Sequence, residues 1–281
     1  MSTLVPPIFR GLVDDASVLP PGVPGADAVD SHRRHREGWY APLLGALLVP
    51  SSVAAFDISP HGLKVGVVSD TGIAALPATV TKLRATGSRV TQVEALVARR
   101  GEDPQPGVRA LREFAAGFPD LQVYAEIPLS WGLLAALDSV AATHSGAGPA
   151  LRPKFRVGGL ASELFPTPVE LAAVICACRD RGLPFKLAAG LRHALRHTDP
   201  ETGFTHHGFL NVLVASALAA EGGEVAEVAE VLAATHPVPL VEPARERRDE
   251  PRPLWVGFGT ANVLEPLTEL VRLGLVNGGY E

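Results

Sequence analysis

Residues 153–191 decide the fold: Pro153-Lys-Phe-Arg-Val-Gly-Gly159, a helical stretch over about 168–181, then Pro184-Phe-Lys-Leu-Ala-Ala-Gly-Leu191. Two short apolar runs separated by one amphipathic stretch predict parallel strands joined by a crossover helix. Working outward, the same alternation appears in LLGALLVP (43–50), LKVGVVSD (63–70), RVTQVEALV (89–97), LQVYAEIP (121–128) and LWVGFGT (254–260). Between these runs the pattern predicts helices near 73–86, 106–117, 130–143, 208–221, 224–234 and 262–273. Seven strands are plain, and an eighth is wanted. Its candidate is PVPLVE (237–242), interrupted by proline and followed by the charged ARERRDEPRP, which reads equally as a loop or a lid. Eight strand-helix units in about 240 residues predict an α/β fold, a (β/α)8 TIM-type barrel. A doubly wound open sheet is the alternative, but the chain has no GxGxxG and no GxxxxGK[ST], so nucleotide-binding versions of it are disfavoured.

The expected organisation is a single domain, 1–281. Within it, residues 1–40 form an N-terminal arm and a helix near 26–38, and 41–281 form the barrel. Proline pairs at 6–7 and 20–21 suggest that the arm is extended, and the helix, with His32, Arg33, Arg34, His35 and Arg36, reads as solvated.

The chain of 281 residues is 47% hydrophobic, enough for a sizeable core, and its 28 glycines and 25 prolines suit many short turns rather than a helical bundle. A net charge of −5 provides no basic footprint for nucleic acid. No uninterrupted apolar stretch approaches the ~18 residues of a membrane helix, and the first residues lack a signal-peptide pattern. A cytoplasmic protein is expected, with a small-molecule substrate as its partner and homo-oligomerisation left open; the sequence calls for no cofactor. Cys176 and Cys178, two apart on a predicted helix, face different sides and read as buried thiols of a reducing compartment.

Only four of the 25 basic residues are lysines: Lys64, Lys82, Lys154 and Lys186. Lys64 starts a strand and Lys82 lies on a helix, where solvent serves them, whereas Lys154 and Lys186 fall inside adjacent apolar strands. Catalytic groups of parallel barrels gather at the C-terminal strand ends, and there the chain also carries Glu94, Glu126 and Arg156. Lys154 and Arg156 share a strand face, and Gly158 and Gly159 leave room for a ligand near the backbone. A lysine beside another cation and an apolar wall is expected to have a lowered pKa, which frees its amine to attack a carbonyl. The same residues also make ordinary ion pairs at a partly buried rim, so a structural role stands beside the catalytic one.

His193 and His197, four apart, would share a helix face and could hold a metal, although no acid completes a known signature. His206-His207 reads as opening the next helix, and an acid/base role for His193 or His207, with His207 also placed to bind substrate, is the favoured alternative. The segment GFGTAN (257–262) contributes Gly257 and Gly259 and leads into a helix with the capping-box spacing Asn262 to Glu265, which reads equally as a receptor for an anion or as an ordinary glycine turn. Asp14 and Asp15 could reach the barrel mouth or form a turn, and the turn is favoured, since adjacent acids point apart in an extended chain.

Two resemblances follow from these strings. LVDDASVLPPG, KFRVGG, FKLAAGLRHALRH and HHGFLNVLVA resemble a group of bacterial proteins, a likeness that brings no chemistry with it. PKFRVGG followed by FKLAAGLR, about forty residues in all, resembles the two lysine strands of the deoxyribose-phosphate type of class I aldolase. The resemblance implies that Lys154 forms a Schiff base and Lys186 perturbs it, with Glu94 or Glu126 handling protons. The chain departs from that pattern in carrying Arg156 where the family has a small residue, and in lacking an aspartate beside Lys154. An arginine there suits a substrate bearing carboxylate, since guanidinium pairs with it bidentately. The leading expectation is therefore a lysine-imine lyase, aldolase-like, acting on a small carbonyl compound bearing carboxylate or phosphate. The alternatives are a metal-dependent hydrolase or isomerase, a phosphoribosyl-type transferase, and a non-catalytic binding barrel.

Overall fold

Eight parallel strands close into a barrel in the computed structural model, which describes residues 4–19, 22–54, 60–144 and 150–278. They are β1 (Val13–Asp15), β2 (Leu44–Pro50), β3 (Lys64–Ser69), β4 (Arg89–Leu96), β5 (Gln122–Glu126), β6 (Leu151–Arg156) and β7 (Phe185–Ala188). A small hairpin of β8 (His197–Thr198) and β9 (Thr205–His206) follows, and then β10 (Trp255–Thr260), which pairs with β7 on one side and β1 on the other. Helices alternate with the strands, so the chain is a (β/α)8 TIM-type barrel, and the open-sheet alternative falls with the closure.

The eighth strand lies at the other end of the chain from its candidate. Residues 237–242 form no strand but begin the helix Val238–Glu246, which buries Leu240, Val241 and Ala244. Its early proline is harmless, because the N–H groups of a first helical turn have no partner within the helix. The missing strand is the three-residue β1, inside what reads as a solvent-crossing arm. Val5, Ile8, Phe9 and Leu12 of that segment are buried, and Arg252 donates to the carbonyls of Ile8 and Arg10, fastening it beneath β10. The proline pair at 20–21 lies outside the described residues.

Each strand faces two surroundings. Outward residues such as Leu47, Val65, Val67, Val93, Val123, Phe155 and Leu187 are fully buried beneath the helices and form the apolar core. The helix Gln105–Gly117 shows the matching pattern, burying Val108, Leu111, Phe114 and Ala115 at helical spacing. Inward residues alternate with these, and many are polar: Gln92, Glu94, Tyr124, Glu126, Lys154 and Lys186 are all buried. Charge therefore fills space that branched apolar side chains commonly fill in such barrels.

Cys176 and Cys178 lie in the helix Pro168–Asp180, which opens on a capping box between Thr167 and Glu170. Both are buried free thiols, and burial pushes both upward in pKa, which leaves them inert. Among the described residues no helix is long and apolar enough to cross a membrane.

Candidate active site

Strand register brings the ionisable residues together. Glu126 of β5 stands opposite Lys154 of β6, and Lys154 stands opposite Lys186 of β7. Inward alternation adds Glu94 from β4 across the barrel. The Lys154 ammonium lies 2.7 Å from Glu94 Oε2 and 2.6 Å from Glu126 Oε2, while Arg156 Nε reaches Glu126 Oε1 at 3.2 Å. Lys186 Nζ donates to the other Glu94 oxygen and to Asp14 of β1. The result is one alternating chain of charge, Asp14, Lys186, Glu94, Lys154, Glu126 and Arg156, running from the barrel interior to its C-terminal mouth.

Neutral groups complete it. Gln92 Nε2 donates to Asp14 Oδ2 at 2.7 Å, the Ala46 amide donates to Asp14 Oδ1 at 2.7 Å, and the Lys186 ammonium stands 5.1 Å from the centre of the Tyr124 ring. Tyr124 in turn donates from its hydroxyl to Gln122 Oε1 at 3.0 Å. Three carboxylates and three cations balance, which is how so many charges can leave water.

The lysines are not the free amines expected from cation proximity and an apolar wall. Burial alone would lower the Lys154 pKa, but Glu94 and Glu126 outweigh it and raise that pKa above the usual lysine value. Lys186 is likewise raised: burial opposes, and Asp14 and Glu94 prevail. Burial would raise the Glu94 carboxyl, yet Lys154 and Lys186 hold it down at about 2. Glu126 is lowered in the same way, by Lys154 and then Arg156 against burial. Two carboxylates per ammonium decide the sign.

Asp14 is the member of this chain that sequence reasoning missed. The adjacent acids do point apart, as extended residues must, but each points to a partner. Asp14 faces the lysines, and Asp15 faces outward to His32 Nδ1 at 3.0 Å. His32 is therefore buried rather than solvated, while its neighbour His35 bonds the Tyr40 hydroxyl at 2.8 Å. The apolar Leu12-Val13 before the acids was the available signal that a strand carries them.

Other expected site residues lie apart from this chain of charge. Gly158 and Gly190 pack backbone to backbone: a methyl on Gly158 would come 2.9 Å from Gly190 Cα, so this glycine serves the approach of two strand-end loops. Gly159 faces Leu164, and Gly259 packs on Leu48 and Ala16. Gly257 lies against β1, where a side chain would meet the Leu12 carbonyl at 2.4 Å. The expected capping box does not form: the helix Leu264–Arg272 has Val263 at its N-cap, so Asn262 lies one position before it, accepting from the Leu264 amide at 3.1 Å and donating to Glu265 at 3.3 Å.

His193 and His197 are not on a helix: the segment after β7 is a loop leading into the β8–β9 hairpin. His193 bonds Glu269 at 2.6 Å, its ring meets His197 edge-on, and His197 stacks on His206. Among the described residues no three His, Cys, Asp or Glu side chains converge as metal ligands do. His207 does not open the next helix, which starts at Phe209. It is buried beside Arg196, with Nε2 at 2.8 Å from the Pro166 carbonyl, and burial lowers its pKa to about 4.

Compared with known protein families and with curated proteins, the sequence matches none.

Proposed function

We propose that the chain is a lyase of the aldolase kind, acting on a small carbonyl compound that bears carboxylate or phosphate, through an imine on Lys154. The observation that carries this reading is the position of Lys154: its Nζ lies between Glu94 and Glu126, directly beneath Arg156 at the C-terminal mouth. Arg156 bonds Glu126 through Nε, its side chain is 47% exposed, and among the described residues its terminal nitrogens have no hydrogen-bond partner, which leaves them for a substrate anion.

A raised lysine pKa is compatible with this chemistry once charge is followed through the step. An ammonium and a carbonyl give an iminium and water, so the nitrogen bears one positive charge before and after. The carboxylates that favour the ammonium also favour the iminium. Between these states Lys154 passes a proton to Glu126, the free amine attacks the carbonyl carbon, and the carbonyl oxygen collects protons and leaves as water. Glu126 is the better acceptor of the two, because it faces the mouth while Glu94 is held at about 2 by both lysines. The iminium then takes up the electron pair of the bond between its α and β carbons as an enamine, while the β-hydroxyl gives its proton to the Glu126 carboxylate and the β carbon leaves as a carbonyl compound. The α carbon takes that proton back, and water hydrolyses the iminium to release the second product and the Lys154 ammonium. Lys186 keeps Glu94 charged and in place.

The test is borohydride trapping with a panel of 2-oxo acids and aldehydes, followed by peptide mapping. A reduced adduct on Lys154, lost in Lys154→Met, is expected. A turned-over substrate that leaves no lysine adduct overturns the imine. The complete pairing of the charges favours a second reading, a purely structural lattice in a non-catalytic barrel. Unfolding of Lys154→Met, with no turnover of any panel member by the wild type, would favour that reading.

A further inference from the structure

We propose that the N-terminal end of the barrel holds a second small-molecule site, for a compact polyanion of the phosphate-ester or polycarboxylate class. A cavity of about 350 Å³ opens there. Its rim includes Lys64 and Arg89, the first residues of β3 and β4, and its floor is reached by Lys186 and Asp14. It lies on the opposite side of the Lys186–Glu94 contact from Arg156 and does not depend on the imine chemistry.

Charge and hydrogen-bonding capacity argue for an anion. Lys64 and Arg89 are exposed at the opening, and among the described residues neither is paired with a carboxylate. Asp14, the acid in the lining, is already engaged by Lys186, Gln92 and the Ala46 amide. Lys186 and Asp14 compensate one another at the floor, so the two rim cations, unpaired with any carboxylate among the described residues, leave the opening positive, which draws anions toward it. Gln92 and Gln122 supply amide groups along the wall, and Tyr124 supplies an aromatic face. The volume is near the lower end of the ~300–1,000 Å³ usual for ligand pockets, so it suits a metabolite rather than a dinucleotide or a peptide. A stability role alone gives no reason for this arrangement, since rim cations facing one another repel and gain nothing from the fold.

Calorimetric titration of the full-length protein with pyrophosphate and with citrate, at about 0.15 M salt, tests the proposal. Saturable binding with a submillimolar Kd is expected for at least one of them. The Lys64→Ala/Arg89→Ala variant, altered at exposed positions and checked for an unchanged melting temperature, should bind at least ~10-fold more weakly. Arg156→Ala, at the other mouth, should bind as the wild type does. The site is refuted if neither anion binds saturably, if the double variant binds like the wild type, or if Arg156→Ala is the change that abolishes binding. The last result would place the anion at the C-terminal mouth and leave the imine proposal standing, whereas trapping on Lys154 is read independently of these titrations.

Discussion

At the C-terminal mouth Lys154 lies between Glu94 and Glu126, and Arg156 rests on Glu126; at the N-terminal mouth Lys64 and Arg89 stand, among the described residues, without a carboxylate. The first arrangement fixes protonation states and lets charge be buried, because each ammonium is compensated on two sides. The second leaves positive potential unspent and open to solvent. Under the two proposals, one end of the barrel forms a covalent cation and the other receives an anion. The boundary between them is the Lys186–Glu94 contact.

Removing that boundary should have the largest effect. Glu94→Leu strips a carboxylate from two buried ammonium groups at once and should cost about 3–5 kcal/mol of stability in urea denaturation. A loss near zero would show that the two ends are not linked through this residue.

Acid separates the interior from the loops around it. The Glu94 carboxyl is held at about 2 against 4.5 unfolded, so its contribution is present above pH 4.5 and lost as pH falls toward 2. His207, outside the chain of charge, behaves differently. Its folded pKa of about 4 is below the usual 6.5, so the unfolded chain takes up a proton that the folded one refuses. Stability should drop by up to about 3 kcal/mol between pH 6.5 and 4, from 1.36 kcal/mol per pH unit, and His207→Gln should flatten that part of the profile. A wild-type profile flat over this range would place a protonated His207 in the fold.

The exposed cations should matter least to stability. Arg156→Ala should cost less than about 1 kcal/mol in the same denaturation assay, since its pair with Glu126 is half open to water. Its effect should be seen in a raised KM for the anionic substrate. Lys64→Ala and Arg89→Ala should each fall within about 0.5 kcal/mol of the wild type.

Seven of the barrel strands were legible because each is an apolar run of four or more residues between turns, as strands buried on both faces must be. The eighth was not: Val13–Asp15 is three residues long and two of them are aspartates. Its burial comes from closure between β2 and β10 rather than from its own composition. PVPLVE misled for the reverse reason, since an apolar run with prolines is the same string in a strand and in the first turn of a helix. The lysines, the two glutamates and Arg156 could be picked out as charges inside apolar strands. His193 and His197 drew attention through spacing on a helix that does not form, and His207 through a place at the start of a helix that begins two residues later.

The sequence by itself determined the alternation of strand and helix, the rarity of lysine and the placing of Lys154 and Lys186 on neighbouring strands, because these are local patterns. The tertiary structure decided who neutralises whom. Closing the barrel brings Asp14 to Lys186, 172 positions away, and Glu94 to Lys186, 92 positions away. These contacts reversed the expected direction of both lysine pKa values, since Coulomb energy depends on separation in space, and separation along the chain carries no record of it.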